Sequence, residues 1–136
     1  MLALSKTIEA NKAAYYEALK TAQRSNEITA WIMWFVDMVI AAQTDTEQQI
    51  DFTLKKTKFF DRFRDQLSDR QLKVIRRMLE EGLEGFEGGM NARKYGAITR
   101  ISKATATRDL QDLVERGVFV GIEGVRGRST AYKIAL

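Results

Sequence analysis

Asn91-Ala-Arg-Lys-Tyr-Gly-Ala-Ile98, then Thr99-Arg100-Ile101, Ser102-Lys-Ala-Thr-Ala-Thr-Arg-Asp-Leu110 and, past Gly117, Val118-Phe119-Val120 is the stretch that decides the fold. The Ser102 hydroxyl can accept a hydrogen bond from the N–H of Thr105, which satisfies a donor that a helix start leaves free, so a helix begins here. Ala106, Leu110, Leu113 and Val114 then recur at helical spacing on one stripe, while Ala104, Thr105, Arg108, Gln111 and Glu115 point the other way. In the preceding helix Tyr95 and Ile98 are the apolar anchors, and the turn between the two helices is too short for them to lie antiparallel without crossing. Arg100 stands where such turns often use Gly.

Gly117 is placed to stop the helix in a left-handed conformation, and the β-branched and aromatic run after it reads as a strand. Gly121, Gly124 and Gly127 punctuate a loop, with Arg126 and Arg128 at its tip, before a second strand over Thr130 to Ile134. Working backwards, Ser68 can cap a helix from Asp69 to Glu81 whose Leu72, Ile75, Met78 and Leu79 face inward. Three helices followed by a basic hairpin make residues 68–136 a winged helix-turn-helix, an order of parts that can present one helix to a DNA groove. Between them lies a loop with four glycines from Gly82 to Gly89, pinned by Phe86 and Met90. Its ending, Gly89-Met90-Asn91, lacks the Gly-Lys-Ser/Thr of a phosphate-binding loop.

Charge follows the same division. Residues 1–67 hold nine basic and nine acidic residues, whereas residues 68–136 hold 13 basic against nine acidic and carry the whole net charge of +4. From Asn91 onward there are nine basic and four acidic residues, the expected electrostatic footprint of a polyanion binder. Asp109, Asp112 and Glu115, on the helix expected to read DNA, weaken that field.

The chain has 136 residues, 45% hydrophobic and 29% charged, which suits a folded chain of two small units. It contains no Cys, which excludes disulfides and thiolate metal ligands, and no His, which excludes His-based acid/base chemistry and nucleophile activation. No enzyme activity, metal or cofactor is therefore expected of this chain. Its start, Met1-Leu-Ala-Leu-Ser-Lys6, lacks the basic and long apolar segments of a secretory signal, so a cytoplasmic location is expected.

There is no Pro anywhere and no Gly before Gly82, so residues 1–67 read as helical, a hairpin of long helices. The first is expected from Ser5 to about Arg24; the second, capped by Thr29, runs as far as Phe63. Trp31, Trp34, Phe35 and Met38 point in different directions around that second helix, more than two helices can bury, which marks them as a partner surface, with self-association as one way to cover it. Asp37 and the shortness of the apolar run argue against a membrane span. Phe52, Phe59, Phe60 and Phe63 fit a packing stripe with a solvated basic flank better than a stacking platform for single strands.

Leu4-Ser-Lys-Thr-Ile8, Tyr15-Tyr16-Glu-Ala-Leu19, Asn26-Glu-Ile-Thr-Ala-Trp31, Trp34-Phe35, Ile50-Asp-Phe-Thr-Leu-Lys-Lys-Thr-Lys-Phe-Phe-Asp61 and Thr105-Ala-Thr-Arg-Asp-Leu110 together resemble the C-terminal region of bacterial Fic-family proteins, over nearly the whole chain. Typical members transfer AMP from ATP to protein hydroxyls. The family's catalytic motif, His-Pro-Phe, an acidic residue and Gly-Asn-Gly-Arg, is absent. The resemblance implies a non-catalytic fragment from after that motif, whose residues 1–67 pack on the catalytic domain of the same parent chain. ATP then belongs to the parent enzyme.

Two functions of different class follow. In one, the winged unit binds double-stranded DNA and tethers or regulates a Fic enzyme, with Lys103, Arg126 and Arg128 on phosphates, Thr105 and Arg108 nearest the base edges, Thr107 on a flank and Ser102 at the helix start. Arg108 could instead be held by Asp112 one turn on. In the other, the chain is a protein-interaction or dimerisation arm without DNA binding, in which Asp109, Asp112 and Glu115 become contacts and the front helix forms a homodimer interface.

Overall fold

The computed structural model describes residues 4–24, 26–82, 85–122 and 130–136. The chain is mainly α-helical with one small antiparallel hairpin. Its described elements are α1 (Leu4–Ala10), α2 (Lys12–Ala22), α3 (Thr29–Phe63), a 3-10 turn (Arg64–Gln66), α4 (Asp69–Glu80), α5 (Ala92–Thr99), α6 (Lys103–Glu115), β1 (Phe119–Gly121) and β2 (Tyr132–Ile134). No helix among the described residues is long and apolar enough to cross a membrane.

Two compact units share the chain, Met1–Asp51 and Phe52–Leu136. The sequence suggested a division after Leu67. The difference comes from the last turns of α3, where Phe59 and Phe63, with Leu67 just beyond, are buried in the same core as α4, and Phe52 and Phe60 pack against it. These are the phenylalanines expected to form a packing stripe.

In the first unit the expected single helix from Ser5 to Arg24 is broken at Asn11, whose backbone sits at φ −115°, ψ 28°. Its side-chain Nδ2 donates to Thr7 O at 2.9 Å, the local bond by which Asn competes with the helical ladder. Thr29 is the first residue of α3 rather than its cap. Its N–H donates to Glu27 Oε1 at 2.8 Å, and the hydrogen bonds from Thr29 hold the Glu27 carboxyl below its ordinary range. Among the described residues of this unit only Ala42 is a fully buried hydrophobic.

The second unit holds the core. Ser68 caps α4 in a capping box: its hydroxyl accepts from Gln71 N at 3.3 Å, and Gln71 Oε1 accepts from Ser68 N at 2.9 Å. Leu72, Ile75, Met78 and Leu79 are all buried, as their spacing predicts. Asn91 caps α5 through Lys94 N and Ser102 caps α6 through Thr105 N. Arg100 between them is left-handed, φ 57° and ψ 43°, the conformation that favours Gly at this turn. On α6 Ala106, Leu110 and Leu113 are buried, but Val114 is 38% exposed because it lies at the edge of the stripe. Gly117 takes φ +70° and ends the helix.

β1 pairs with β2 in the register Phe119 with Ile134, Val120 with Lys133 and Gly121 with Tyr132. β2 is shorter than the Thr130 to Ile134 expected. The glycine loop adds a bridge that the sequence did not reveal: Met90 N donates to Tyr132 O at 2.7 Å, and Tyr132 N to Met90 O at 2.8 Å. Gly89 permits the approach. Its φ is +68°, and a Cβ there would lie 2.9 Å from Tyr132 O and 3.2 Å from Ala131 Cβ.

Candidate nucleic-acid interface

Burial of Ala106, Leu110 and Leu113 fixes which side of α6 faces outward. At 100° per residue the opposite direction runs through Ala104, Arg108, Gln111 and Glu115, with Lys103 and Thr107 on one flank. All six are exposed. Arg108 has no ion-pair or hydrogen-bond partner among the described residues; Asp112, its expected partner one turn on, is engaged elsewhere. Thr107 Oγ1 donates to Lys103 O at 2.9 Å, leaving its lone pairs outward. Gln111, which can donate and accept, belongs to this outward line although the sequence analysis did not single it out as a contact; its helical position was the available signal.

Ser102 and Thr105 are occupied in building the helix start. Besides the cap from Thr105 N at 3.2 Å, the Ser102 and Thr105 hydroxyls lie 3.0 Å apart, and Thr105 is half-buried. Thr105 therefore sits off the outward centre, where Arg108 and Gln111 stand. Arg126 and Arg128, expected at the hairpin tip, lie outside the described residues.

The acidic residues of α6 divide sharply. Asp109 turns toward α4 and α5: Arg70 Nε donates to its Oδ2 at 2.7 Å, Arg70 Nη2 to its Oδ1 at 3.0 Å, and the Tyr95 hydroxyl to its Oδ2 at 2.8 Å. Its side chain is 12% exposed. The Tyr95 ring is fully buried, and burial first, then the bond to the Asp109 carboxylate, pushes its hydroxyl well above the usual tyrosine range. The same carboxylate raises the Arg70 guanidinium, which stays charged.

Asp112 is likewise engaged. Arg116 Nε donates to its Oδ1 at 2.8 Å and Gln71 Nε2 to its Oδ2 at 2.7 Å, and the Arg116 bond holds the carboxyl below its ordinary range. Arg116 Nη1 also donates to Gln66 O at 3.0 Å, fastening the end of α6 to the 3-10 turn. Two of the three carboxylates that weakened the sequence reading are thus neutralised by cations on their own side of the helix. Only Glu115 stands on the outer face, at the far end from Lys103.

Lys94, although basic and close in sequence, is committed to the fold. Its Nζ donates to Gly89 O at 2.9 Å and to Glu87 O, and it lies 5.1 Å from the Phe86 ring centre.

The residues expected at a partner surface lie in the other unit, and the structure turns them inward. Trp34 rests on Tyr15 of α2 with ring centres 5.6 Å apart, and Trp31 stacks on Phe35 at 5.5 Å. Trp31, Trp34, Phe35 and Met38 are all half-buried. The most exposed apolar side chains of α3 are different ones, including Met33 at 58% and Ile40 at 56%. Helical periodicity separates the two sets to opposite sides, so the front helix is apolar around its circumference with one side covered by its own chain.

A scan against known protein families finds no match to this chain, and neither does a search of curated proteins.

Proposed function

We propose that residues 68–136 form a winged helix-turn-helix that binds double-stranded DNA, with α6 presented to the major groove. The observation that carries this reading is the sorting of charge around α6: Asp109 and Asp112 are turned to Arg70 and Arg116, while Lys103 and Arg108 stay exposed. Arg108 and Gln111 suit the base edges, because a guanidinium can pair with guanine O6 and N7 and a carboxamide with adenine N6 and N7. Lys103 suits a phosphate. The resemblance to Fic-family C-terminal regions supports a role in tethering or controlling an AMP-transferring enzyme on DNA, with ATP used by that enzyme and not by this chain.

A titration of mixed-sequence duplex against the wild type and against Arg108→Ala tests the reading. Losing one bidentate base contact costs about 1–3 kcal/mol, so the variant should bind on the order of tenfold more weakly. Equal affinity of the two proteins would remove Arg108, and with it the proposed face of α6, from the interface.

A further inference from the structure

Along α3 the exposed apolar residues follow a heptad seam. Met33, Val36, Ile40, Ile50 and Leu54, between 43% and 58% exposed, fall on alternating steps of three and four once exposed Gln43 and Glu47 are included. A 3.5-residue repeat of this kind is the seam by which two helices supercoil. The inward positions of the same helix, Trp31, Met38, Phe52 and Phe59, are half-buried or buried, so the seam is a second apolar stripe. Ile32, 45% exposed, flanks it at one end. These six side chains offer roughly 550 Å² of apolar surface. That is the upper end of what a monomer exposes, about 300–600 Å². With a polar rim it approaches the about 800 Å² per partner of a standard interface.

We propose that a second copy of this chain covers the seam, with the two α3 helices antiparallel. The pattern is self-complementary in that direction. Placing Ile40 against Ile50 of the second copy sets Val36 against Leu54 and Gln43 against Glu47, so two apolar layers stand on each side of a centre where the one carboxylate meets a carboxamide, and Met33 faces Thr57 at each end. Gln43 Nε2 already donates to Glu47 Oε1 at 3.0 Å within each helix, and the dyad brings the two pairs together. A parallel pair would place Glu47 against Glu47 in the seam, two like charges in one layer. A single polar layer of this kind fixes register at some cost in stability. The proposal does not depend on DNA binding, which salt weakens.

Sedimentation equilibrium of the full chain at about 100 μM is expected to give twice the 15.5 kDa of one chain, with the dimer fraction rising with protein concentration. Ile40→Glu should return the mass to the monomer with an unchanged helical circular dichroism. The chain has no Cys, so register can be read by mixing Val36→Cys with Leu54→Cys under mild oxidation. The expected product is the mixed disulfide joining the two variants. A monomeric wild type, diffuse higher aggregates, or a dimer that survives Ile40→Glu would overturn self-pairing through this seam, and a disulfide between two Val36→Cys copies would overturn the antiparallel register.

Discussion

Asp109 is a carboxylate on the helix proposed to face DNA, and its role is set by residues 39 and 14 positions away, Arg70 and Tyr95. Nothing local in Thr107-Arg108-Asp109-Leu110 announces those partners. Ser68, Ser102 and Gly117 were readable because each acts on backbone within four residues of itself; Asn91 caps α5 in the same local way without having been singled out. Tyr95→Phe should lower stability by about 2 kcal/mol, the worth of a hydrogen bond to a charged group, as measured by chemical denaturation at neutral pH. The same variant has a signature in alkali. The folded chain keeps the Tyr95 proton that the unfolded chain loses near pH 10, so this stabilisation is complete below pH 10 and is lost as pH rises through the folded value. Replacing the hydroxyl should flatten the fall in stability above pH 10. Asp112 runs the other way: its folded carboxyl is held low by Arg116, so its contribution is present above the ordinary carboxylate range and disappears as pH falls.

At the scale of elements, helix starts and the buried faces of α4 and α6 followed from spacing, whereas the Met90 bridge did not. A bridge of one residue has no alternation to read, and Gly88-Gly89-Met90 shows only that the chain turns. The close approach of Gly89 to Ala131 and Tyr132 makes the bridge testable. Gly89→Ala puts a methyl group against a carbonyl in a left-handed conformation, and a loss of about 2–3 kcal/mol is expected in thermal or denaturant unfolding. An unchanged midpoint would mean that the loop does not pack on the hairpin. The front helix carries a related lesson. Its apolar excess was plain in the sequence, but which side would remain bare depended on the Tyr15–Trp34 contact between elements, and the aromatic residues took the inner side.

For the whole molecule, the two units differ in how much they bury. Among the described residues the fully buried large side chains, Tyr95, Phe119, Ile75, Met90 and Leu113 among them, all belong to Phe52–Leu136. Amide exchange should therefore be slowest in α4, α5 and α6 and fastest in α1 and α2, where few apolar contacts oppose opening; strong protection throughout α1 would contradict this. The concentration of positive charge after Asn91 was legible from composition, since it is a count along the chain. Its orientation was not, because charge type does not say which carboxylates turn inward. That orientation is the centre of the proposed function, and the salt dependence of DNA binding tests it most directly. Fluorescence anisotropy of a labelled mixed-sequence duplex, titrated with the full chain at several salt concentrations, should give an affinity that falls linearly on a log–log plot; Lys103→Ala should lower the slope by about one unit. Undetectable binding at low salt, or an affinity indifferent to salt, would contradict the account.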